Sequence, residues 1–240
     1  MKEFLKCWKW YELVFLVISL TTITVCFIVG ADKNVMSLIT SIIGVVVVLM
    51  TAKGLVLAPF VNIGYNVLYS IIAIAQHYYG EAIIYIALMI PINVVTIITW
   101  LKNRNKADSN VVAVNKIHGM EYLYLAIATA VATVGFYFIL QALHTSELII
   151  STVSLISSAV ASYLMLRRCK YYALAFIAND VVLITMWSLV VKNSGIAYLP
   201  TVVCFCVFLI NDIYGFVHWM LEEKKQKNVV ETEKEQEISQ

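Results

Sequence analysis

Charge is what this chain of 240 residues has least of: Asp, Glu, Lys and Arg together make up 13% of it, against 61% hydrophobic residues and a mean hydropathy of +0.84. No globular surface of this size could hide so much apolar area, so a water-soluble domain is excluded. The five cysteines show no metal or redox spacing, since Cys7 and Cys169 lie near one face, Cys26 stands alone, and Cys204 and Cys206 point to different sides of one helix. None of His77, His118, His144 and His218 has a ligand partner at helical spacing, so no metal site is expected. A phosphate-binding GxxxxGK[ST] loop is missing as well, so this chain does not use ATP, and no cofactor is implied. The net charge of +2 comes with no basic patch for nucleic acid.

What is present is a series of uncharged runs, at 13–31, 34–52, 54–80, 82–101, 122–146 and 148–166. Each is about as long as a bilayer-spanning helix or slightly longer. Two more, 171–191 and 196–220, qualify if Asp180 and Asp212 are accepted inside them. Lipid leaves an open chain no other way to satisfy its backbone, so the expectation is an all-α polytopic membrane protein with eight transmembrane helices. Basic residues collect on one side: Lys2, Lys6 and Lys9, then Lys53, then Lys102, Arg104, Lys106 and Lys116, then Arg167, Arg168 and Lys170. The opposite side has Lys33 and Lys192. The positive-inside rule makes the basic side cytoplasmic, with both termini there, in the cell membrane. The first run, although basic residues precede it and Val29-Gly30-Ala31 resembles a cleavage site, is too long for a signal peptide. Residues 222–240 mix Lys, Glu and Gln without apolar periodicity and read as a disordered cytoplasmic tail.

Asp180 and Asp212, each preceded by asparagine, are the acidic groups inside these runs. An ionisable group costs roughly 3 kcal/mol at the centre of a membrane helix, so such residues usually face a bundle interior or a solute path. A structural carboxyl bonded to a neighbouring helix is the plainer alternative. Asn93 and Trp100, Asp180 and Trp187, and Asp212 and Trp219 share a spacing of seven, which sets each pair on one helix face. Asn93, Asp180 and Asp212 each lie roughly 12 Å from the cytoplasmic helix end at 1.5 Å per residue, and Asn62 and Asn66 fall near that depth. Helices two to four and six to eight therefore read as a parallel repeat about an inverting fifth helix, giving one extra N-terminal helix plus a 3+1+3 arrangement. The boundaries are 1–33 for the extra helix, 34–104 and 147–221 for the three-helix bundles, and 105–146 for the loop and linker helix. Trp100 and Trp219 read as interface belt residues. Trp187 and Tyr214 could stack on a solute or pack in the core. Ser154, Ser158 and Ser162 read as helix-packing residues.

The stretch from Pro91-Ile92-Asn93 to Thr99-Trp100-Leu101-Lys102-Asn103, the triplet Ala178-Asn179-Asp180, and Asn211-Asp212-Ile213-Tyr214-Gly215 followed by Trp219 together resemble the PnuC-type vitamin transporters, a family related to the SWEET carriers. The likeness covers about residues 35–221. It implies a 3+1+3 fold, sometimes with an extra first helix, a midmembrane site lined by Asn, Gln, Trp and Tyr, and a homo-oligomer, often a trimer. It also implies facilitated diffusion of nicotinamide riboside with trapping by a cytosolic kinase, relatives carrying thiamine, riboflavin or nucleosides. Familiar members have more tryptophan around the site than is found here. The expected solute contacts are Asn62, Asn66, Asn93, Asn179 and Asn211 to hydroxyls or a carboxamide, Asp180 or Asp212 to positive charge, and Trp187 or Tyr214 to a ring cation. An intramembrane aspartyl protease is the competing class, but its GxGD motif is absent, Ile177-Ala178-Asn179-Asp180 and Leu209-Ile210-Asn211-Asp212 standing instead. A membrane sensor or scaffold without transport is a third reading.

Overall fold

The computed structural model describes residues 8–29, 34–105 and 108–238. The readings placed on Lys2, Lys6, Cys7, Gly30, Ala31, Lys33 and Lys106 lie outside these described residues. Within them, eight helices are long and apolar enough to cross a bilayer. They are α1 (Trp10–Val29), α2 (Val35–Ala52), α3 (Ala58–Ala75), α4 (Tyr79–Lys102), α5 (Gly119–Ala142), α6 (Leu148–Leu166), α7 (Tyr172–Ser194) and α8 (Leu199–Ile238). α4 is not uniform: Ile84–Met89 is π-helical, just ahead of Pro91. Proline cannot donate to the carbonyl one turn back, and such wide turns are frequent beside functional sites.

Two helices begin earlier than their uncharged runs because they admit a glutamate, Glu12 in the first turn of α1 and Glu81 in that of α4. Both are buried, so Asp180 and Asp212 are not the only acidic groups within the spans. Lys53 at the end of α2 forms an ion pair with Glu12 and supplies the compensation that burial demands.

α2, α3, α4, α6, α7 and α8 form the packed bundle, with α8 against α7 and α2, and α6 against α7 and α4. α1 and α5 are peripheral: only Glu12, Ser19 and Ile23 of the first and only Leu140 of the second are buried. Their remaining apolar side chains match a lipid surrounding. Small hydroxyls stitch α2 to α8, with Ser37 Oγ and Thr201 Oγ1 2.6 Å apart and Ser41 Oγ donating to Pro200 O at 3.3 Å. Such side chains let helices approach closely where hydrocarbon provides no hydrophobic drive.

At the lysine-rich end, α2 and α6 stop in the same way. Gly54 and Arg168 both adopt positive φ, +67° and +58°. Gly54 N donates to Thr51 O and Leu55 N to Met50 O, while Arg168 N donates to Met165 O and Cys169 N to Leu164 O. The two turns correspond residue for residue at a constant offset, and both follow the left-handed C-cap pattern. Trp100 of α4 then donates Nε1 to Met165 O at 3.2 Å, and Trp219 of α8 donates Nε1 to Thr51 O at 3.3 Å. Both rings are buried, with centroids 6.0 Å apart, so they are not belt residues. The indole N–H that would seek interfacial water finds instead a carbonyl at the end of a helix, where four acceptors are left open.

The segment expected as a disordered tail continues α8 as helix through Ile238. Lys, Glu and Gln are strong helix formers, and extending an existing helix avoids the nucleation cost. Its first turns are also tied down: Glu223 accepts from Lys170 at 2.8 Å and Gln226 Oε1 from Val114 N at 2.9 Å. The Lys170 ammonium is thereby held above its ordinary pKa, the hydrogen bond to Glu223 being the largest cause.

Candidate functional site

Between α2, α3, α4, α6, α7 and α8 lies a cavity of about 70 Å³. Its walls are aromatic and aliphatic: Tyr65 and Tyr85 on one side, Phe205 and Phe208 on another, Phe176 and Met165 towards the lysine-rich end. Gly44 of α2 makes room for two of these rings, because a Cβ there would come within 2.7 Å of Phe208 and 2.8 Å of Tyr65.

Into these walls project Asn62 and Asn66 of α3, Ser158 and Ser162 of α6, Asn179 and Asp180 of α7, and Asp212 of α8. The Asp180 and Asp212 carboxyls are near enough to interact electrostatically. Ser157 and Ser158 both donate to Asn179 Oδ1, at 2.8 and 2.9 Å, which fixes that amide. Two groups are left open: Asn66 Nδ2 and Asp180 Oδ2 are buried without a hydrogen-bond partner. Each unfilled buried group costs about 1–3 kcal/mol, so this wall has a donor and an acceptor with capacity for a further bond.

Five of the nine residues singled out from sequence, Asn62, Asn66, Asn179, Asp180 and Asp212, thus meet around one space. Asn93 stands behind it, accepting from Asn62 Nδ2 at 3.2 Å and donating to Met89 O at 2.8 Å. It positions Asn62 rather than facing the cavity.

The other three are elsewhere. Trp187 is fully buried one layer beyond the cavity, donating Nε1 to Tyr69 OH at 2.8 Å. Successive residues on a helix differ by 100°, so with Asp212 facing inward Asn211 turns towards α2, donating to Val48 O at 2.9 Å. Tyr214 follows Asn211 to that side and donates to Glu12 Oε1 at 2.5 Å. Ser158 and Ser162, read as packing residues, line the cavity as well as packing. The signal for them was available, as an i, i+4 hydroxyl stripe on the helix that faces Asn179. No such signal marks Tyr65, Tyr85 or Phe208, because an aromatic on an apolar helix is usually core.

A sequence family model described as nicotinamide mononucleotide transporter matches residues 34–221, from the start of α2 to the inner turns of α8. The chain belongs to the nicotinamide mononucleotide transporter family. The family is one of transporters, not enzymes, and the match begins after α1. Two relatives named nicotinamide riboside transporter PnuC, from Neisseria mucosa and Haemophilus influenzae, are each 22% identical, over 221 and 219 residues. Both alignments cover 91% of this chain, and they cover 84% and 93% of the relatives. A crystal structure of the vitamin B3 transporter PnuC superposes with a TM-score of 0.81 at 22% identity, covering 91% of this chain and 94% of that one. The eight-helix fold of this family member is therefore the one seen in a solved PnuC.

Proposed function

We propose that the protein carries nicotinamide riboside, or a nucleoside-like vitamin of similar shape and charge, across the membrane by facilitated diffusion through the cavity. The observation that carries this reading is the polar content of that space: an open amide donor at Asn66, an open acceptor at Asp180, and a second carboxyl at Asp212. A ribose with a carboxamide uses the first two, and a fixed pyridinium offsets the acidic pair with ring faces beside it. The family model is described for the mononucleotide and the relatives are named for the riboside, and the charge on the wall separates these solutes. Among the described residues, no Lys, Arg or His lines the cavity. A phosphate would meet two carboxyls and no cation, so the riboside is the fitting solute. Thiamine, riboflavin and deoxynucleosides remain the solutes to be measured against it.

Several features support a parallel repeat, with α5 as its inverting linker and α1 as an addition. Gly54 and Arg168, Leu55 and Cys169, and Ala58 and Tyr172 keep one offset, and at that same offset Asn66 corresponds to Asp180. Trp100 and Trp219 bond to each other's opposite half. In this reading the two bundles rock about the cavity. Lys53, Lys102, Arg104, Lys116, Arg167, Arg168 and Lys170 all stand at one end, which supports a cytoplasmic location for that end and for both termini. A homo-oligomer follows from the family likeness.

The test is counterflow in proteoliposomes with purified protein and labelled nicotinamide riboside, nicotinamide mononucleotide, thiamine, riboflavin and deoxynucleosides. The riboside is expected to exchange, the mononucleotide not, and a protonophore to leave the rate unchanged. Exchange of the mononucleotide as fast as the riboside would refute the assignment, and binding without flux would favour a sensor. Asp180→Asn and Asp212→Asn are each expected to slow riboside exchange at least tenfold in folded protein. Unchanged exchange in both variants would remove the carboxyls from the site.

A further inference from the structure

Between the cavity and the end of the bundle far from the lysine-rich loops stands an aromatic partition. Tyr65 and Tyr85 line the cavity itself. Tyr69 lies behind them, its ring 4.3 Å from Tyr85 and 5.8 Å from Tyr65 between centroids, and it meets Trp187 of the opposite half at 5.9 Å. On the far side of this partition is Glu81, fully buried in the first turn of α4. At 1.5 Å per residue it stands about 12 Å farther out than Met89 at the cavity. Its bond from Tyr69 is a long one, Tyr69 OH to Glu81 Oε2 at 3.4 Å, and Tyr69 itself accepts from Trp187 Nε1. Glu81 Oε1 and the hydroxyl of neighbouring Ser154 are buried beside each other, outside bonding geometry with any third group among the described residues.

A wholly buried carboxyl beside two hydroxyls is an expensive way to pack a helix, and among the described residues no Lys or Arg is paired with it. The π-helical turn Ile84–Met89 links it directly to the cavity wall, so a shift of that turn moves Glu81 and Tyr85 together. The groups beside it come from both halves of the bundle, Tyr69 from one, itself bonded by Trp187, and Ser154 from the other. Separation of the halves at this end therefore uncovers the carboxyl and the faces of two rings at once.

We propose that Glu81, buried behind Tyr69, is a charge-selecting station at the far mouth: the first anionic group a cationic solute meets, ahead of the Asp180 and Asp212 pair. The inference rests on the reading of the solute as a ring cation. It makes Glu81 a determinant of selectivity between charged and uncharged solutes of one shape, and it predicts no role in retaining an uncharged solute.

The experiment compares initial uptake into proteoliposomes of nicotinamide riboside, a fixed cation, and its 1,4-dihydro form, which is uncharged, for the parent protein, Glu81→Gln and Glu81→Asp. The expected result is a rise of about tenfold in the half-saturating concentration of the cation for Glu81→Gln, the loss of one partly desolvated charge contact, with the uncharged form changed less than about twofold. Glu81→Asp is expected to keep the preference for the cation. A parallel fall for both solutes in Glu81→Gln, or an unchanged ratio between them, would overturn the proposal and leave Glu81 a packing residue. If the parent protein transports neither compound, the riboside reading itself fails and this inference with it. Transport by the parent with an unaltered ratio in the variant rejects the station alone.

Discussion

Removing Lys53 strands Glu12. The carboxylate of Glu12 is buried and accepts three donors: Lys53 Nζ, the Lys9 backbone N–H at 2.7 Å and the Tyr214 hydroxyl at 2.5 Å. In Lys53→Met the two neutral donors remain but the compensating charge is lost, and breaking a buried pair from one side costs about 3–5 kcal/mol. The two surviving hydrogen bonds put this case at the lower end, about 3 kcal/mol. Glu12→Gln is expected to cost less, about 1–2 kcal/mol. Lys53 would keep its cation–π contact with the Trp8 ring at 5.1 Å, and it sits at the C-terminus of α2, where the helix dipole favours a cation. The double variant Glu12→Gln with Lys53→Met should then be about 2 kcal/mol more stable than the sum of the singles implies. Equilibrium unfolding in mixed micelles of rising SDS fraction, with a cysteine reporter placed on α1, reads both the stability and the release of that helix. Additive single costs, or a Lys53→Met variant within about 0.5 kcal/mol of the parent, would refute the argument and make the pair a bystander of packing.

Three further outcomes follow from the packing. Gly44→Ala should leave the fold intact but slow transport, since the new methyl pushes Phe208 and Tyr65 into the cavity at a cost of about 1–3 kcal/mol; equal uptake by parent and variant would contradict it. Trp219→Phe keeps most of the ring and deletes the bond to Thr51 O, so thermal unfolding should report a loss of about 1–3 kcal/mol. Tyr78, which closes the turn between α3 and α4, is pushed up to about 12 from 10.0, chiefly by burial. The phenol is favoured neutral in the folded state, so its contribution is complete below pH 10 and disappears as pH rises towards 12. Tyr78→Phe should remove that part of the alkaline loss of stability in a pH series of unfolding midpoints.

The spans were readable because charge is so costly in lipid that its absence marks them, and that logic gave way where a glutamate is buried in the first turn of a helix, at Glu12 and Glu81. Depth was readable too. Counting residues from a helix end brought Asn62, Asn66, Asn93, Asp180 and Asp212 to one level, and all of these but Asn93, which bonds Asn62 from behind, line one cavity. Rotation about the helix axis was not, because an all-apolar helix has no polar face to orient it, and so Asn211 and Tyr214 were assigned to the cavity along with Asp212. The tryptophans misled for a related reason. An indole near a helix end satisfies its N–H equally well in interfacial water or on a neighbour's terminal carbonyl, and only the folded bundle supplies the second option. The helical tail escaped notice because periodicity reports burial, and a helix held by end contacts such as Glu223 with Lys170 needs little of it.

The crossed tryptophans tie α4 to the end of α6, Trp100 on Met165, and α8 to the end of α2, Trp219 on Thr51. A chain severed between α4 and α6 would yield two fragments, each lacking the indole that covers its own capped helix end. Expressed together, the fragments should purify as a pair, and expressed singly each should be degraded, so the break in the chain is tolerable only while both pieces are made.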